Sequence, residues 1–237
     1  MRRWVRIIGT ALAVTGALVL VWAFVVWQWQ DPFTAVYTLW KQHQLAGQYA
    51  KRAASFRQRE LSVSLAAERR DVAFEATRYR IETRDGEAIG KIIVPRMGIN
   101  MILVDGTDHE TLKKGPGRDL RTFMPGQNRL VYIAGHRTTY LAPFSHIDLM
   151  RKGDRITLQV PYGTFIYRVN GDRVVPADDT AVLRSPRHEL LILQACHPRF
   201  FASHRFLVYA RLVHVDPRGG QPYDLTASGV TTQSSGR

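Results

Sequence analysis

From Ile7 to Gln30 the chain carries no charged residue, and its apolar part, IIGTALAVTGALVLVWAFVVW, matches the roughly 20 residues a helix needs to cross a bilayer. A secretory signal has a shorter apolar stretch, about 7 to 15 residues, followed by a small-residue cleavage site, and no such site follows Trp29. Residues 7–30 therefore read as a transmembrane anchor. Arg2, Arg3 and Arg6 precede the span, Asp31 follows it, and the next basic residue is Lys41. The positive-inside rule then keeps residues 1–6 in the cytoplasm and puts everything from Asp31 onward outside the cell membrane. Trp4 at one end, and Trp27 and Trp29 at the other, fall where aromatic rings favour the headgroup zone. The formal charge of +13 suits nucleic acid, anionic lipid or an anionic wall polymer. The extracytoplasmic placement removes nucleic acid from that set.

The rest of the chain has two textures. Residues 33–73 contain no proline and one glycine, and apolar residues recur at Phe33, Val36, Tyr37 and Trp40, then Leu45, Tyr49, Ala53 and Phe56, close to helical spacing. Residues 31–87 are read as a helical stalk or linker whose duty is spacing. From Gly90 onward, short apolar runs alternate with Gly, Pro, Asn and Asp, the pattern of a sheet-rich domain with many turns. The folded domain is set at 88–216. Its eight candidate strands are Lys91 to Val94, Met101 to Val104, Leu130 to Ala134, Arg155 to Val160, Thr164 to Asn170, Arg173 to Val175, Leu190 to Ala195 and Phe206 to Val213. Eight strands suggest a mainly β barrel or sandwich. Asp108 to Lys114 and Pro143 to Met150 read as short helices. Residues 217–237, rich in Gly, Ser and Thr, read as a disordered tail.

A single cysteine, Cys196, is an unusual count for an exported protein, because oxidising compartments favour paired thiols. By itself it is equally well an inert small hydrophobe. Its surroundings are more telling. LLILQA ends at Cys196, the loop HPRFFASH leads to Arg205 at the head of FLVYARLV, and LVYIAG ends at His136. Three reactive or polar side chains thus stand at strand termini, where rigid elements hold them in place. A thiolate can attack a carbonyl, an imidazole can carry the proton to a leaving amine, and a fixed guanidinium can stabilise the oxyanion. The acidic groups Asp105, Asp108 with His109, and Asp178 with Asp179, have no metal-site spacing, so neither a metal nor another cofactor is expected.

The run AGHRTTYLAPF at 134–144, then DLMRKGDRI, then CHPRF with Arg205 nine residues after the cysteine, resembles the sortases, and most of all the class E sortases of high-GC Gram-positive bacteria. GKIIVPRMGINMILVDGT and LKKGPG upstream fit the same subgroup, so the resemblance covers residues 88 to 215. It implies an eight-stranded sortase-type β-barrel. It also implies a thioester formed on the sorting signal of an exported protein, and transfer of that acyl group to an amine of a peptidoglycan precursor or pilin. By resemblance the nucleophile is Cys196, with His136 and Arg205 completing the catalytic set. Tyr140, Ala195 and His197 become candidate substrate-binding positions. One departure stands out. Sortases usually approach the cysteine with Thr-Leu-x-Thr, whereas this chain has Ile192, Leu193, Gln194 and Ala195. The missing hydroxyl keeps a second reading open, a weakly active or inactive sortase-like binding module. A third, an L,D-transpeptidase, lacks its compact Ser-His-Gly-Cys signature, since His136 lies sixty residues before Cys196.

Overall fold

The computed structural model describes residues 2–29, 32–62, 64–225 and 231–233. Helix α1 (Arg2–Trp29) is long and apolar enough to cross a membrane, and its apolar window buries nothing against the rest of the protein. Helix α2 (Pro32–Ser55) opens on a proline at its first position, where the missing N–H costs no hydrogen bond. Helix α3 (Leu65–Glu82) is capped by Ser64, whose hydroxyl accepts from the Ala67 amide.

Neither α2 nor α3 is a spacer, which corrects the stalk expected over 31–87. In α2, Thr38 donates to the Lys113 carbonyl, Gln42 donates to the Ile102 and Lys114 carbonyls, and the Tyr49 hydroxyl reaches Gln159 O. Leu45, between them on the same face, is buried with Ala88, Ile102 and Val104. In α3, Val72, Ala76 and Tyr79 recur at i, i+4 and i+7 and are fully buried in the main core.

Strands β1 (Ala88–Val94), β2 (Ile99–Asp105), β3 (Gly117–Arg118), β4 (Leu130–Ala134), β5 (Arg155–Val160), β6 (Gly163–Pro176), β7 (Leu190–His197) and β8 (His204–Pro217) form a closed eight-stranded barrel. Around the ring the order is β8, β6, β5, β1, β2, β3, β4, β7, and the β7–β8 pairing closes it. The pairs β2–β3 and β4–β7 are parallel and the others antiparallel. The two strands expected at Thr164 to Asn170 and Arg173 to Val175 are one long strand, β6, whose register shifts near Gly171 where the polar sequence had suggested a break.

Between β2 and β3, Asp108 caps the short helix α4 (His109–Leu112) by accepting from the Glu110 and Thr111 amides. The helix expected at Pro143 to Met150 shrinks to a single 3-10 turn, Ile147–Leu149. The tail reading is corrected at its start. Strand β9 (Tyr223–Leu225) pairs with β8, β10 (Thr231–Gln233) pairs with β9, and Tyr223 is buried in the core. Polar flanks hid that one aromatic anchor. The remainder of the expected tail, 226–230 and 234–237, lies outside the described residues.

Candidate active site

Strand alternation decides which way each residue beside the thiol points. On β7, Leu191, Leu193 and Ala195 belong to the main core inside the barrel, whereas Ile192 packs in a smaller cluster with Leu130, Tyr132, Val175 and Leu207. Cys196 shares parity with Ile192 and so stands on that outer face. Arg205 on β8 is its direct antiparallel partner and shares parity with Leu207. Residues directly opposite in an antiparallel pair point the same way, with Cβ atoms about 5 Å apart. The thiol and the guanidinium therefore project side by side.

Strand β4 delivers the third group. It runs parallel to β7 with Ala134 beside Gln194, and Gly135 N donates to Gln194 O at 3.0 Å. His136 follows, two residues past Ala134 just as Cys196 is two past Gln194. Gly135 has a packing reason: a Cβ there would meet the buried Phe144 ring at 2.8 Å. With no side chain at 135, the buried Phe144 ring packs against the backbone just before the histidine, and the Phe144 amide donates to His136 O at 3.0 Å.

His136 is half-buried, and its Nε2 makes no hydrogen bond within the protein. Desolvation, then the nearby His109 and Lys113, hold its pKa below the ordinary value, so the neutral ring is favoured. The Tyr140 ring lies 5.1 Å from it, centroid to centroid. Arg205 donates to the carbonyls of Ala202 (2.7 Å) and His204 (3.0 Å), which fixes one end of its guanidinium. No carboxylate pairs with it among the described residues.

Arg137 is the residue that sequence reasoning missed. It is buried, pairs with Asp148 at 2.9 Å, donates to His197 Nδ1 at 2.9 Å and reaches the Cys196 carbonyl at 3.3 Å. Burial is the main cause lowering its pKa. One guanidinium thus ties the histidine loop to the end of β7. Its place next to His136 in HRTTY was the only available signal.

The other candidate positions separate. Tyr140 stands at the rim, where Thr34 of α2 accepts from its amide and Tyr37 meets its ring edge-on. His197 is held by Arg137 and packs near Phe206, so it supports the wall of the site. Ala195 is completely buried with its methyl in the barrel core, on the face opposite the thiol. A hydroxyl lost there is lost from the interior. A separate cleft lined by Arg69, Arg70, His188, Arg211 and Tyr223 lies at the α3–β9 side, and no cysteine, serine or threonine is among its lining residues.

Chemically, the rim offers a thiol, a neutral imidazole with an unused nitrogen and a cation with no carboxylate partner among the described residues, which is a set suited to acyl transfer. Residues 92–213 match the family model described as Sortase domain. The chain is 31% identical over 147 residues to Sortase D of Bacillus subtilis, a match spanning 60% of this chain and 72% of that protein. It is similar to the structure of sortase E from Streptomyces avermitilis, with 31% identity, a TM-score of 0.51, and coverage of 57% of this chain and 93% of that one. A Clostridium perfringens sortase D5 transpeptidase, 22% identical, shares the fold with a TM-score of 0.59 over 73% of this chain and 98% of its own.

Proposed function

Because the chain belongs to the sortase family, whose homologues are cysteine transpeptidases, we propose that it cleaves a Leu-Pro-x-Thr-Gly or Leu-Ala-x-Thr-Gly sorting signal between Thr and Gly and transfers the acyl part to an amine. The observation that carries this reading is the pairing of Cys196 with Arg205 across β7 and β8, on the face His136 approaches from β4. Cys196 sulfur bonds to the threonine carbonyl carbon, and the oxygen takes up negative charge beside Arg205. The C–N bond then breaks, and His136, having received the thiol proton, gives it to the departing glycine nitrogen. In the second half the acceptor amine attacks the thioester, loses its proton to His136 and releases the thiol. The acceptor in this reading is a peptidoglycan precursor or a pilin.

Membrane anchoring belongs to the same proposal: α1 spans the membrane with its N-terminus in the cytoplasm and the barrel outside, supported by Arg2, Arg3 and Arg6 before the span. So does class E membership, supported by the 31% identity to the Streptomyces avermitilis protein, with class D the rival through the Bacillus relative. Tyr140, against the His136 ring, is the residue proposed to meet the second position of the signal.

The test is mass spectrometry of the full chain in detergent micelles with both peptides, with and without an amine acceptor, beside Cys196→Ala. An acyl adduct on Cys196, with cleavage after Thr that the variant lacks, is the expected result. Peptide binding without any adduct would favour the binding-module reading instead.

A further inference from the structure

Helix α2 has two faces, and only one is used by the barrel. Thr38, Gln42, Leu45 and Tyr49 look inward. On the opposite side Val36, Leu39 and Trp40, at i, i+3 and i+4, are 67%, 58% and 53% exposed. The apolar character of this outer face is confined to the end nearest α1. Beyond it the exposed positions are His43, Gln44, Ala46, Gly47, Gln48, Ala50, Lys51, Ala54 and Ser55, all polar, charged or small. The Lys41 ammonium lies 4.4 Å over the Trp40 ring.

We infer that Val36, Leu39 and Trp40 lie in the headgroup layer of the membrane that α1 enters, so that α2 lays the active-site rim on the bilayer surface. The inference rests on the proposed reading of α1 as a membrane span. Chain reach supports it. The three steps from Trp29 to Pro32 cover at most about 11 Å. Two residues of helix, from Pro32 to Thr34, add about 5 Å between Cα atoms. Thr34 therefore sits within about 16 Å of the end of the span, and it is Thr34 that accepts the Tyr140 amide at 3.0 Å. The rim cannot stand off at the end of a stalk. An amphipathic helix with Trp and Leu on one face and Lys beside them suits the boundary of headgroups and acyl chains. Phe200 and Phe201, 62% and 80% exposed on the loop between Cys196 and Arg205, add apolar surface at the same end of the barrel. A sorting signal still tethered to that membrane would reach Cys196 by moving along the bilayer surface.

Tryptophan fluorescence separates this inference from the reading beneath it. Two full-length variants are reconstituted in phosphatidylcholine–phosphatidylglycerol vesicles with brominated acyl chains. One carries Trp4→Phe, Trp22→Phe, Trp27→Phe and Trp29→Phe, leaving Trp40; the other keeps only Trp22, inside the apolar run. The expected result is loss of emission from both. Trp22 should be quenched most by bromines deep in the chain, and Trp40 most by bromines near the glycerol. Quenched Trp22 with unquenched Trp40 overturns the inference and leaves the span intact; a blue-shifted but unquenched Trp40 would mean that protein, such as a second copy, covers the face. Unquenched Trp22 would remove the span and the inference together.

Discussion

Two polar sites in this barrel, one fully buried and one at the partly exposed rim, use their basic groups in opposite ways. At the β2–β3 end, Arg118 and Asp105 are 2% and 1% exposed and saturated: Arg118 binds Asp105 through Nε and Nη2 and donates to Thr122 O, and Asp105 also accepts from Thr83. At the β4–β7–β8 rim, His136 keeps Nε2 unbonded and Arg205 faces no carboxylate among the described residues. The first site has no capacity left for a ligand. The second has acceptor and donor capacity unspent, which is what separates a structural polar network from a candidate catalytic one.

The contrast breaks most visibly at the saturated end. Burial leads both shifts, raising the Asp105 pKa and lowering that of Arg118, so the pair owes its place to mutual compensation. Asp105→Ala strands a buried guanidinium and is expected to cost about 3–5 kcal/mol. Thermal melts should show that as a fall of about 10 °C in Tm. Adding Arg118→Met should restore most of it, and a single variant that melts like the parent would refute the account.

At the rim the expectation inverts. Arg205→Lys should lower kcat by about 10²-fold while Tm moves little, because the lost function is donor geometry toward the oxyanion. Arg137→Met tests the residue between the two types. As a positioning group for the Cys196 carbonyl and the histidine loop, it should reduce kcat by about tenfold with KM nearly constant. An unchanged kcat would reduce it to packing.

The smallest effect concerns pH. The folded pKa of His136 is depressed below an ordinary value of about 6.5, so the unfolded chain takes up this proton first. Its contribution to stability is therefore complete above that value and declines as pH falls through and below it. The same shift places the acid limb of kcat/KM below about 6.5, unless the thiol sets that limb. A pH–rate profile with an NMR titration of His136 would decide; a ring that titrates above 6.5 contradicts the burial argument.

Much of this site was legible along the chain because strand ends announce themselves. The apolar runs closing at His136 and Cys196 and opening at Arg205 became β4, β7 and β8, with the cysteine and arginine in register. Ala195 shows the limit of the same reading. Its departure from the family pattern was visible, but whether the lost hydroxyl faced the thiol depended on strand parity, which places the methyl in the core.

The hydrophobic run of α1, the number of barrel strands within one merger and one short addition, and the residues at the strand ends all follow from local composition and periodicity, which is why the sequence by itself determined them. Only the tertiary structure decided that α2 belongs to the barrel and touches Tyr140, that Arg137 braces Cys196, and that Tyr223 anchors the chain after β8. Those links join polar side chains to backbone groups, or single aromatics to a distant core. Such contacts have no period, so no pattern along the chain announces them.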